Sequence, residues 1–492
     1  MIEFALAGLL IAPLAAAILI QARPLRDAAG AVALVAVSIS LASALAIAAR
    51  VQDEGPQSAF DGWVYVDSLS VVILVLIALV GVCATLNSIP YIRRDIADGH
   101  LGAADSPRYY SLLMVFMATM VVVPVINNLG VMWVAIEATT VVSVLLVSIY
   151  RTGPSLEAAW KYLVLGSVGI ALALFGTMMT YYASSPLLGD DSSGLSWTDL
   201  RAVASQLDPD VMRLAFVFVL VGYGTKAGLA PMHTWLPDAH SQAPSPVSAL
   251  LSGVLLNCAL YAVLRFRVLT AASAGDAYAD DLLIAFGLFS VGLAVPFLVV
   301  QHDIKRMLAY HSVEHMGIIA LAAGIGGPVG LYAAMLHLVA HSLTKSSLFM
   351  AAGSVVQAFN TRSMHRMHGI AKLAPFHGAS LILGAVALAG LPPFAMFTSE
   401  YGLISGSFSA GHAAIGVAGL LLIALAAASL LYHTVQVAYG QPRAGRSVPR
   451  PGAAALLSIS LPLVLLLLVS VDPPNEFEAA LRDAATVIGG SG

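Results

Sequence analysis

Residues 226–253 read "KAGLAPMHTWLPDAHSQAPSPVSALLSG". A lysine, then several prolines, then a return to apolar residues is the pattern that decides the fold. The stretch begins with Lys226, lies between two apolar segments and contains four prolines, at positions 231, 237, 244 and 246. Proline lacks a backbone N–H and clashes with the preceding helical turn, so it interrupts a helix. Backbone groups freed inside a bilayer must face protein or water. We therefore predict a membrane helix broken at Pro231, beside a hydrated pocket.

The composition indicates an integral membrane protein. The chain has 492 residues, of which 59% are hydrophobic and 10% are charged, and its mean hydropathy is +0.88. Soluble domains carry about 25% charged residues. Open sheet edges do not persist in lipid, so we expect the spans to be helices and the fold to be all-α.

Several functional classes are excluded by the same sequence. The net charge of −4 and the absence of a basic tract exclude a nucleic-acid partner. The two cysteines, Cys83 and Cys258, are distant and lie in apolar segments, which suits neither a disulfide framework nor a metal site. No motif for a nucleotide, haem, flavin or iron–sulfur cluster is found, so no cofactor is expected. Glu3 is the only early charge, so the first apolar segment is interpreted as a retained span.

Windows of about 20 apolar residues predict fourteen spans. They cover residues 3–21, 28–49, 67–89, 108–126, 130–150, 158–183, 212–236, 244–264, 281–301, 306–324, 328–358, 375–401, 411–439 and 452–471. The polar insertion at 184–211 lies between two of these spans and is expected to carry at most a short surface helix.

Positive charges in the loops predict the orientation. Fifteen of the 23 Lys and Arg residues fall in odd-numbered loops, and six fall in even-numbered loops or near the ends of the chain. Positive residues collect on the cytoplasmic side, so both termini are expected on the outer side. In this scheme Lys305 and Arg306 are inner interfacial anchors, and Arg265 and Arg267 are outer ones.

Ionisable side chains inside spans cost about 2.5–3.5 kcal/mol each on insertion scales and are usually functional. Those inside the predicted spans that we single out are Glu137, Lys226, Lys345 and Glu400. Two interpretations of Glu137 and Lys226 stay open. In the first, the two side chains form a static ion pair between helices. In the second, Lys226 carries protons, because burial disfavours the charged form of its amine whereas a nearby carboxylate favours that form.

A second break repeats the first. Residues 388–400 read "LAGLPPFAMFTSE", in which Pro392 and Pro393 interrupt a span just before Glu400. Paired, interrupted helices are typical of transporters built from internal repeats. The breaks fall in the seventh and twelfth spans, which predicts two inverted five-helix units. The resulting division is residues 1–107, units 108–264 and 281–439, and a last helix with a C-terminal tail at 452–492.

Residues 336–355, "LHLVAHSLTKSSLFMAAGSV", carry a polar stripe on one helix face, because His337, His341 and Lys345 are spaced by four residues. Three interpretations are open: a proton relay, a packed polar stripe, and a metal site, which lacks a third ligand at metal-like spacing. Histidine titrates near neutral pH, which suits a relay. His315, next to Glu314, either joins this relay or caps it.

Other histidines have weaker signals. His365 and His368 are expected at the surface of a cytoplasmic loop. A quinone-reducing site in the pocket of "APMHTWLPDAH", residues 230–240, is a further alternative without a cofactor motif to support it. The expected proton-translocation residues are Glu137, Lys226, His233, His315, His337, His341, Lys345 and Glu400.

Five segments resemble one family. They are the opening stretch, "SLEAAWKYLVLGSVGIALALFG" (155–176), "IKRMLAYHSVEHMGII" (304–319), "AHSLTKSSLFMAAGSV" (340–355) and "GLPPFAMFTSE" (390–400). Together they are similar to the antiporter-like proton-pumping subunits of respiratory complex I, Mrp-type antiporters and group 4 [NiFe] hydrogenases. Within the family, the chain is most similar to the F-type subunits of hydrogenase-4, related to the formate hydrogenlyase membrane arm.

The resemblance implies fourteen helices, with helices 7 and 12 broken, and a hydrophilic axis along the middle of a bacterial inner membrane. Glu137 matches the family's helix-5 glutamate and Lys226 its helix-7 lysine. The stripe from His337 to Lys345 matches helix 11, and Glu400 the end of helix 12. The chain departs from several members at Asn257, where they have a helix-8 lysine. An asparagine can hold a water but carries no charge, so either water and histidines bridge the two halves or the connection is weaker in this chain.

The resemblance also implies partners. Other membrane-arm subunits, and peripheral [NiFe] hydrogenase and iron–sulfur subunits, would drive the transport of protons or Na⁺. The alternatives are an Mrp-type cation/proton antiporter subunit, an NADH:quinone oxidoreductase antiporter-like subunit, and a scaffold that conducts nothing.

Overall fold

The computed structural model describes residues 2–22, 27–189, 192–441 and 451–490, and these are mainly helical. The helices are α1 (Ile2–Leu19), α2 (Ala29–Glu54), α3 (Ser68–Ala97), α4 (Asp105–Val122), α5 (Leu129–Val147), α6 (Gly153–Leu188), α7 (Trp197–Val203), α8 (Pro209–Ala227), α9 (Trp235–Gln242), α10 (Ser245–Leu250), α11 (Leu256–Ala274), α12 (Asp276–Val299), α13 (Ile304–Ile325), α14 (Gly327–Phe359), α15 (Ile370–Leu373), α16 (Pro375–Leu388), α17 (Ala395–Ser409), α18 (Ala413–Tyr439), α19 (Ala453–Val471) and α20 (Asn475–Ile488). Five arginines used above to orient the chain lie outside the described residues: Arg23, Arg26, Arg443, Arg446 and Arg450.

The all-α membrane fold is confirmed. In the described part of the chain, ten helical segments are long and apolar enough to cross a membrane: α1, α2, α3, α5, α6, α10 with α11, α12, α13, α18 and α19. The long helix α14 is not among them and carries the polar stripe with His337, His341 and Lys345. The number of fourteen spans stays a prediction.

The first broken helix lies where the prolines predict it. α8 ends at Ala227 and α9 begins at Trp235, with turns around Pro231 between them. Gly228 ends α8 with φ at +79°, a left-handed conformation that suits glycine. The indole N–H of Trp235 donates to the backbone carbonyl of Thr225 at 2.8 Å. This bond joins the two halves and satisfies a carbonyl that the break releases.

The second broken helix has the same form. α16 ends at Leu388 and α17 begins at Ala395, with Pro392 and Pro393 in between. Both of these prolines and Pro231 are exposed at the surface of the chain. The ionisable side chains near the breaks, by contrast, are buried, so each interrupted helix presents its charged residue inward.

Close helix packing depends on small residues. α6 packs against α8, and a Cβ atom at Gly176 would lie only 2.7 Å from the backbone oxygen of Ala215. In the same way α12 packs against α13 at Gly287, where an added Cβ would lie 2.6 Å from the backbone nitrogen of Leu321. Small residues at such crossings let helix backbones approach closely, as in other membrane bundles.

Three parts of the chain add to or differ from the sequence-based expectation. Strands β1 (Gln57–Ala59) and β2 (Val64–Val66) pair antiparallel, so the chain is not purely helical between α2 and α3. The insertion at 184–211 does contain the short helix α7, with Trp197 buried. The C-terminal tail folds as the amphipathic helix α20, whose Leu481 and Ile488 are buried.

Arg265 and Arg267, expected as interfacial anchors on the outer side, are buried. Arg265 makes two hydrogen bonds to the carboxylate of Asp67, at 2.6 and 2.7 Å, and both side chains are at most 3% exposed. Arg267 pairs with Asp280 at 2.7 Å and donates to the backbone oxygen of Ile488 at 2.8 Å. Their interpretation as surface anchors is wrong, because each finds a carboxylate on another element that satisfies it inside the protein.

Candidate functional site

Lys226 lies in the last turn of α8, and its side chain is fully buried. Its ammonium group donates to Thr140 Oγ1 on α5 at 2.8 Å and to Tyr162 Oη on α6 at 2.5 Å. It also lies over the Tyr162 ring, 4.7 Å from the centroid. Neutral groups from two neighbouring helices therefore hold the amine at the break.

Glu137 lies on α5, one helical turn before Thr140. Its Oε1 accepts a hydrogen bond from Ser167 at 3.1 Å, and its buried Oε2 has no hydrogen-bond partner. Among the described residues, no ion pair joins Glu137 to Lys226. The two charges of the predicted pair are therefore separately held, without direct contact.

Aromatic rings lead from Lys226 toward α14. The Tyr162 ring stacks on Trp235 with centroids 4.3 Å apart. Trp235 is next to His240 at 6.4 Å, and His240 stacks on Phe349 at 5.3 Å. His240 is fully buried, and neither ring nitrogen has a hydrogen-bond partner. It is thus a titratable group between the first break and the stripe on α14.

Asn257 connects α11 directly to α14. Its amide Nδ2 donates to Ser342 Oγ at 2.7 Å and to the backbone oxygen of Gly253 at 2.9 Å. Gly253 belongs to a π-helical segment, residues 251–255, between α10 and α11. Such segments are rare and frequent at functional sites. Because Ser342 follows His341, Asn257 places an uncharged amide beside the polar stripe of α14.

Three helices bring the histidines together. His315 Nδ1 on α13 and His337 Nε2 on α14 lie 2.9 Å apart, and His337 Nδ1 lies 2.9 Å from Ser399 Oγ on α17. The ring of His341 is 5.6 Å from that of His315. Glu400, next to Ser399, is 8% exposed. His315 therefore lies within the cluster rather than at its end.

The other buried charges of this region lie on α13 and α14. Lys345 is fully buried and donates to the backbone oxygen of Leu308. One turn further along α13, His311 Nδ1 lies 2.6 Å from Glu314 Oε2. All of these side chains are buried, so the row of ionisable groups continues from α14 onto α13.

Two groups of side chains have a geometry that could hold a metal ion. In each, one ligand atom per residue lies within 4.8 Å of the others; the groups are His311, Glu314 and His315, and His315, His337 and Glu400. The sequence predicts no third ligand at metal-like spacing for His337 and His341; in the second group the ligands beside His337 come from α13 and α17, so spacing along one helix does not reveal them.

A polar vestibule opens at one end of the bundle. It has a volume of about 620 Å³ and is lined by Asp95, Tyr150, Lys305 and Gln357, among others. Tyr150 and Gln357 donate to Asp95 at 2.5 and 2.7 Å. Lys305 is buried and donates to the backbone oxygen of Ala243 at 2.5 Å. Its interpretation as a surface anchor is therefore wrong, since the amine points into the protein at this vestibule.

Three further histidines named in the sequence differ in their burial. His233, beside the first break, is buried against Tyr310, with ring centroids 6.3 Å apart, and its Nδ1 has no hydrogen-bond partner. His365 is exposed and lies 3.1 Å from His302. His368 is half-buried and contacts the backbone oxygen of Gln436 at 3.0 Å.

His240, His311 and the burial of Lys305 were not among the sequence-based predictions. His311, Glu314 and His315 fall within five residues of one predicted span, which was a signal for a buried polar cluster. His240 and Lys305 lie outside or at the edge of their predicted spans, so only the packing of the helices reveals their burial.

A family model described as "NADH:quinone oxidoreductase/Mrp antiporter, TM" matches residues 126–426. The matched part includes both broken helices and every ionisable residue of the buried row. The chain belongs to this family.

Among curated relatives, the hydrogenase-4 component F homolog of Methylacidiphilum infernorum is 44% identical, over 78% of this chain and 80% of that relative. Two solved structures share the fold. A chain of the archaeal membrane-bound sulfane sulfur reductase complex matches with a TM-score of 0.88 and 23% identity, covering 99% of this chain and 98% of that chain. A chain of the Mrp complex of Dietzia sp. DQ12-45-1b matches with a TM-score of 0.82 and 21% identity, covering 99% of this chain and 100% of that chain.

Proposed function

We propose that the chain is a proton-translocating, antiporter-like subunit of a group 4 [NiFe] hydrogenase complex of the hydrogenase-4 or formate hydrogenlyase type. The observation that carries the proposal is the full burial of Lys226 at the end of a broken helix, held by Thr140 and Tyr162. A buried amine with only neutral hydrogen-bond partners can release and regain a proton at modest cost, because desolvation disfavours its charged form.

The order of the buried groups supports a route. Glu137 acts on the amine of Lys226 through space, since no ion pair holds them together. From Lys226, the proton passes the Tyr162, Trp235 and His240 region toward α14, with Asn257 and ordered water bridging the halves. His341, His337 and His315 receive it, and Lys345 adjusts their charge. Glu400 ends the row.

We assign the entry of protons from one side of the membrane to the polar vestibule. Lys305 faces it and bonds to Ala243, three residues after His240. Asp95 lies on the same wall and accepts two hydrogen bonds. A proton that enters from this side therefore meets two titratable groups in the lining of the vestibule, Asp95 and Lys305. His233, beside the first break, is assigned to the same translocation set.

The free energy comes from other subunits. No redox cofactor is proposed for this chain, and its hydrogenase-4 relative supports a complex with peripheral [NiFe] hydrogenase and iron–sulfur subunits beside other membrane-arm subunits. Protons are the proposed ion, and exchange against Na⁺ is tested below. The proposal includes fourteen spans in two inverted five-helix units, in a bacterial inner membrane with both termini on the outer side.

The test is Lys226→Ala in the assembled complex, reconstituted in vesicles, with substrate turnover and proton movement measured together. We expect turnover to continue while proton movement falls to the passive leak. Lys372→Ala, which removes an exposed lysine on α15, is the matched control and keeps both activities. Undiminished proton movement in Lys226→Ala would reject the proposal in favour of a scaffold.

Two further measurements separate the alternatives. Co-purification in mild detergent with hydrogenase large and small subunits supports the hydrogenase complex, whereas a set of small antiporter subunits supports the Mrp type. Proton movement that requires Na⁺ on the opposite side of the vesicle membrane would identify cation exchange.

A further inference from the structure

Three helices of the bundle converge on one buried point. His315 comes from α13, His337 from α14 and Glu400 from α17, and one ligand atom of each lies within 4.8 Å of the others. We call these residues the His–His–Glu trio. Their positions span 86 residues of sequence, so the trio exists only because the second broken helix packs against α14.

The donor set of the trio is specific in its chemistry. Two imidazoles and one carboxylate, with a fourth position open, are a recurrent ligand set for Zn²⁺. Nitrogen ligands disfavour Mg²⁺ and Ca²⁺, which prefer all-oxygen sites. The carboxylate of Glu400 contributes one negative charge when ionised, and Glu314 in the adjoining group contributes a second. Together they can balance a divalent cation in a low-dielectric interior.

Unused ligand atoms surround the same point. His315 Nε2 has no hydrogen-bond partner, and neither has Nδ1 or Nε2 of His341, although all three atoms are buried. The His341 ring is 5.6 Å from that of His315, which makes His341 the neighbouring candidate for a fourth ligand. Buried polar atoms are usually paired, and these three nitrogens, one in the trio and two on the neighbouring His341, are clustered where a ligand would bind.

We propose that the trio is a Zn²⁺-binding site, completed by His341 or water, and that zinc bound there blocks the proton route. Zinc takes the lone pairs of His315 and His337 and the carboxylate of Glu400, which the route needs for proton exchange. The proposed zinc binding is argued from the geometry alone, whereas the proposed block of proton movement rests on the proposed function.

The binding test uses the full chain purified in detergent, stripped with chelator, saturated with zinc and desalted, with bound zinc counted by elemental analysis. We expect His337→Asn and Glu400→Gln each to lose one zinc per chain. The variant His337→Cys is expected to keep this zinc, because a thiolate also binds Zn²⁺. The matched control is the double change His302→Asn/His365→Asn, which removes a second close histidine pair at the surface, 3.1 Å apart, and keeps this zinc.

Two results would overturn the site. They are equal zinc counts in wild type and both trio variants, and a loss of the zinc only in the surface control. Correct folding of each variant is checked by its elution as a single species with unchanged helical circular dichroism.

A separate measurement addresses the block. Micromolar zinc is added to vesicles that contain the wild-type complex, and proton movement and turnover are recorded before and after chelation. Zinc binding without loss of proton movement would refute the block and leave the site standing. If zinc abolishes proton movement in step with its occupancy of the trio, and chelation restores that movement, the result supports both the zinc site and the block.

Discussion

His315 Nδ1 and His337 Nε2 lie 2.9 Å apart and join α13 to α14 inside the bundle. A hydrogen bond between two imidazoles needs one ring to donate and the other to accept, so a proton that crosses this bond exchanges their roles. His337 also contacts Ser399, one residue before Glu400. In the proposed route the pair thus links α13 and the α14 stripe to the second broken helix.

Replacing His337 tests this contact. His337→Gln keeps a polar side chain but cannot carry a proton at neutral pH, so we expect proton movement to fall to the passive leak while turnover continues. The measurement is proton uptake by vesicles during turnover. His302→Gln, in the exposed pair with His365, is the control and should leave proton uptake unchanged. Normal uptake in His337→Gln would remove this residue from the route.

Lys226→Arg separates a proton carrier from a static charge. Arginine keeps the positive charge, but it does not release its proton in proteins. We expect proton movement to be lost in this variant, as in Lys226→Ala. A static ion pair or scaffold needs only the charge, so full transport in Lys226→Arg would contradict the carrier role. Assembly of the complex, measured by co-purification, is the control for both variants.

Removing both charges gives a complementary result. In the Glu137→Gln/Lys226→Met variant, the amide can still accept from Ser167, but neither a mobile proton nor its modulating charge remains. We expect no proton movement. Full transport in the double variant, together with loss in each single variant, would show that the charges only compensate each other.

Tyr162→Phe tests how Lys226 is held. The change removes the Oη atom that accepts from Lys226 at 2.5 Å, while the ring can still stack on Trp235. An unsatisfied buried donor costs about 1–3 kcal/mol, so we expect a lower melting temperature and slower proton movement. Both are measured on the purified complex. Tyr182→Phe, on an exposed part of α6, should change neither. Unchanged melting in Tyr162→Phe would mean that water replaces the hydroxyl.

Asp67→Asn tests the ion pair that joins α3 to α11. It leaves Arg265 buried without a carboxylate, and breaking a buried pair in this way costs about 3–5 kcal/mol. We therefore expect a clear fall in the melting temperature in detergent. Glu54→Gln breaks the exposed pair with Arg50, which contributes about 0–1 kcal/mol, and should melt like the wild type. Equal melting of the two variants would contradict a structural role for Arg265.

The sequence by itself determined which helices break and which spans carry ionisable residues. Both depend on local chemistry: proline cannot continue a helix, and a charge inside an apolar run is visible without knowledge of the fold. The burial of Lys226, Lys345 and Glu400 agrees with that pattern, while their roles in transport stay predictions.

Only the tertiary structure decided which groups meet. The third ligand of the trio comes from α17, and the partners of Lys226 come from α5 and α6 rather than from the predicted carboxylate. The inward turn of Lys305 and the buried pairs of Arg265 and Arg267 likewise depend on carbonyls and carboxylates of distant elements. Spacing along one helix reveals which residues share a face, but it contains no information about which face of another helix will lie opposite.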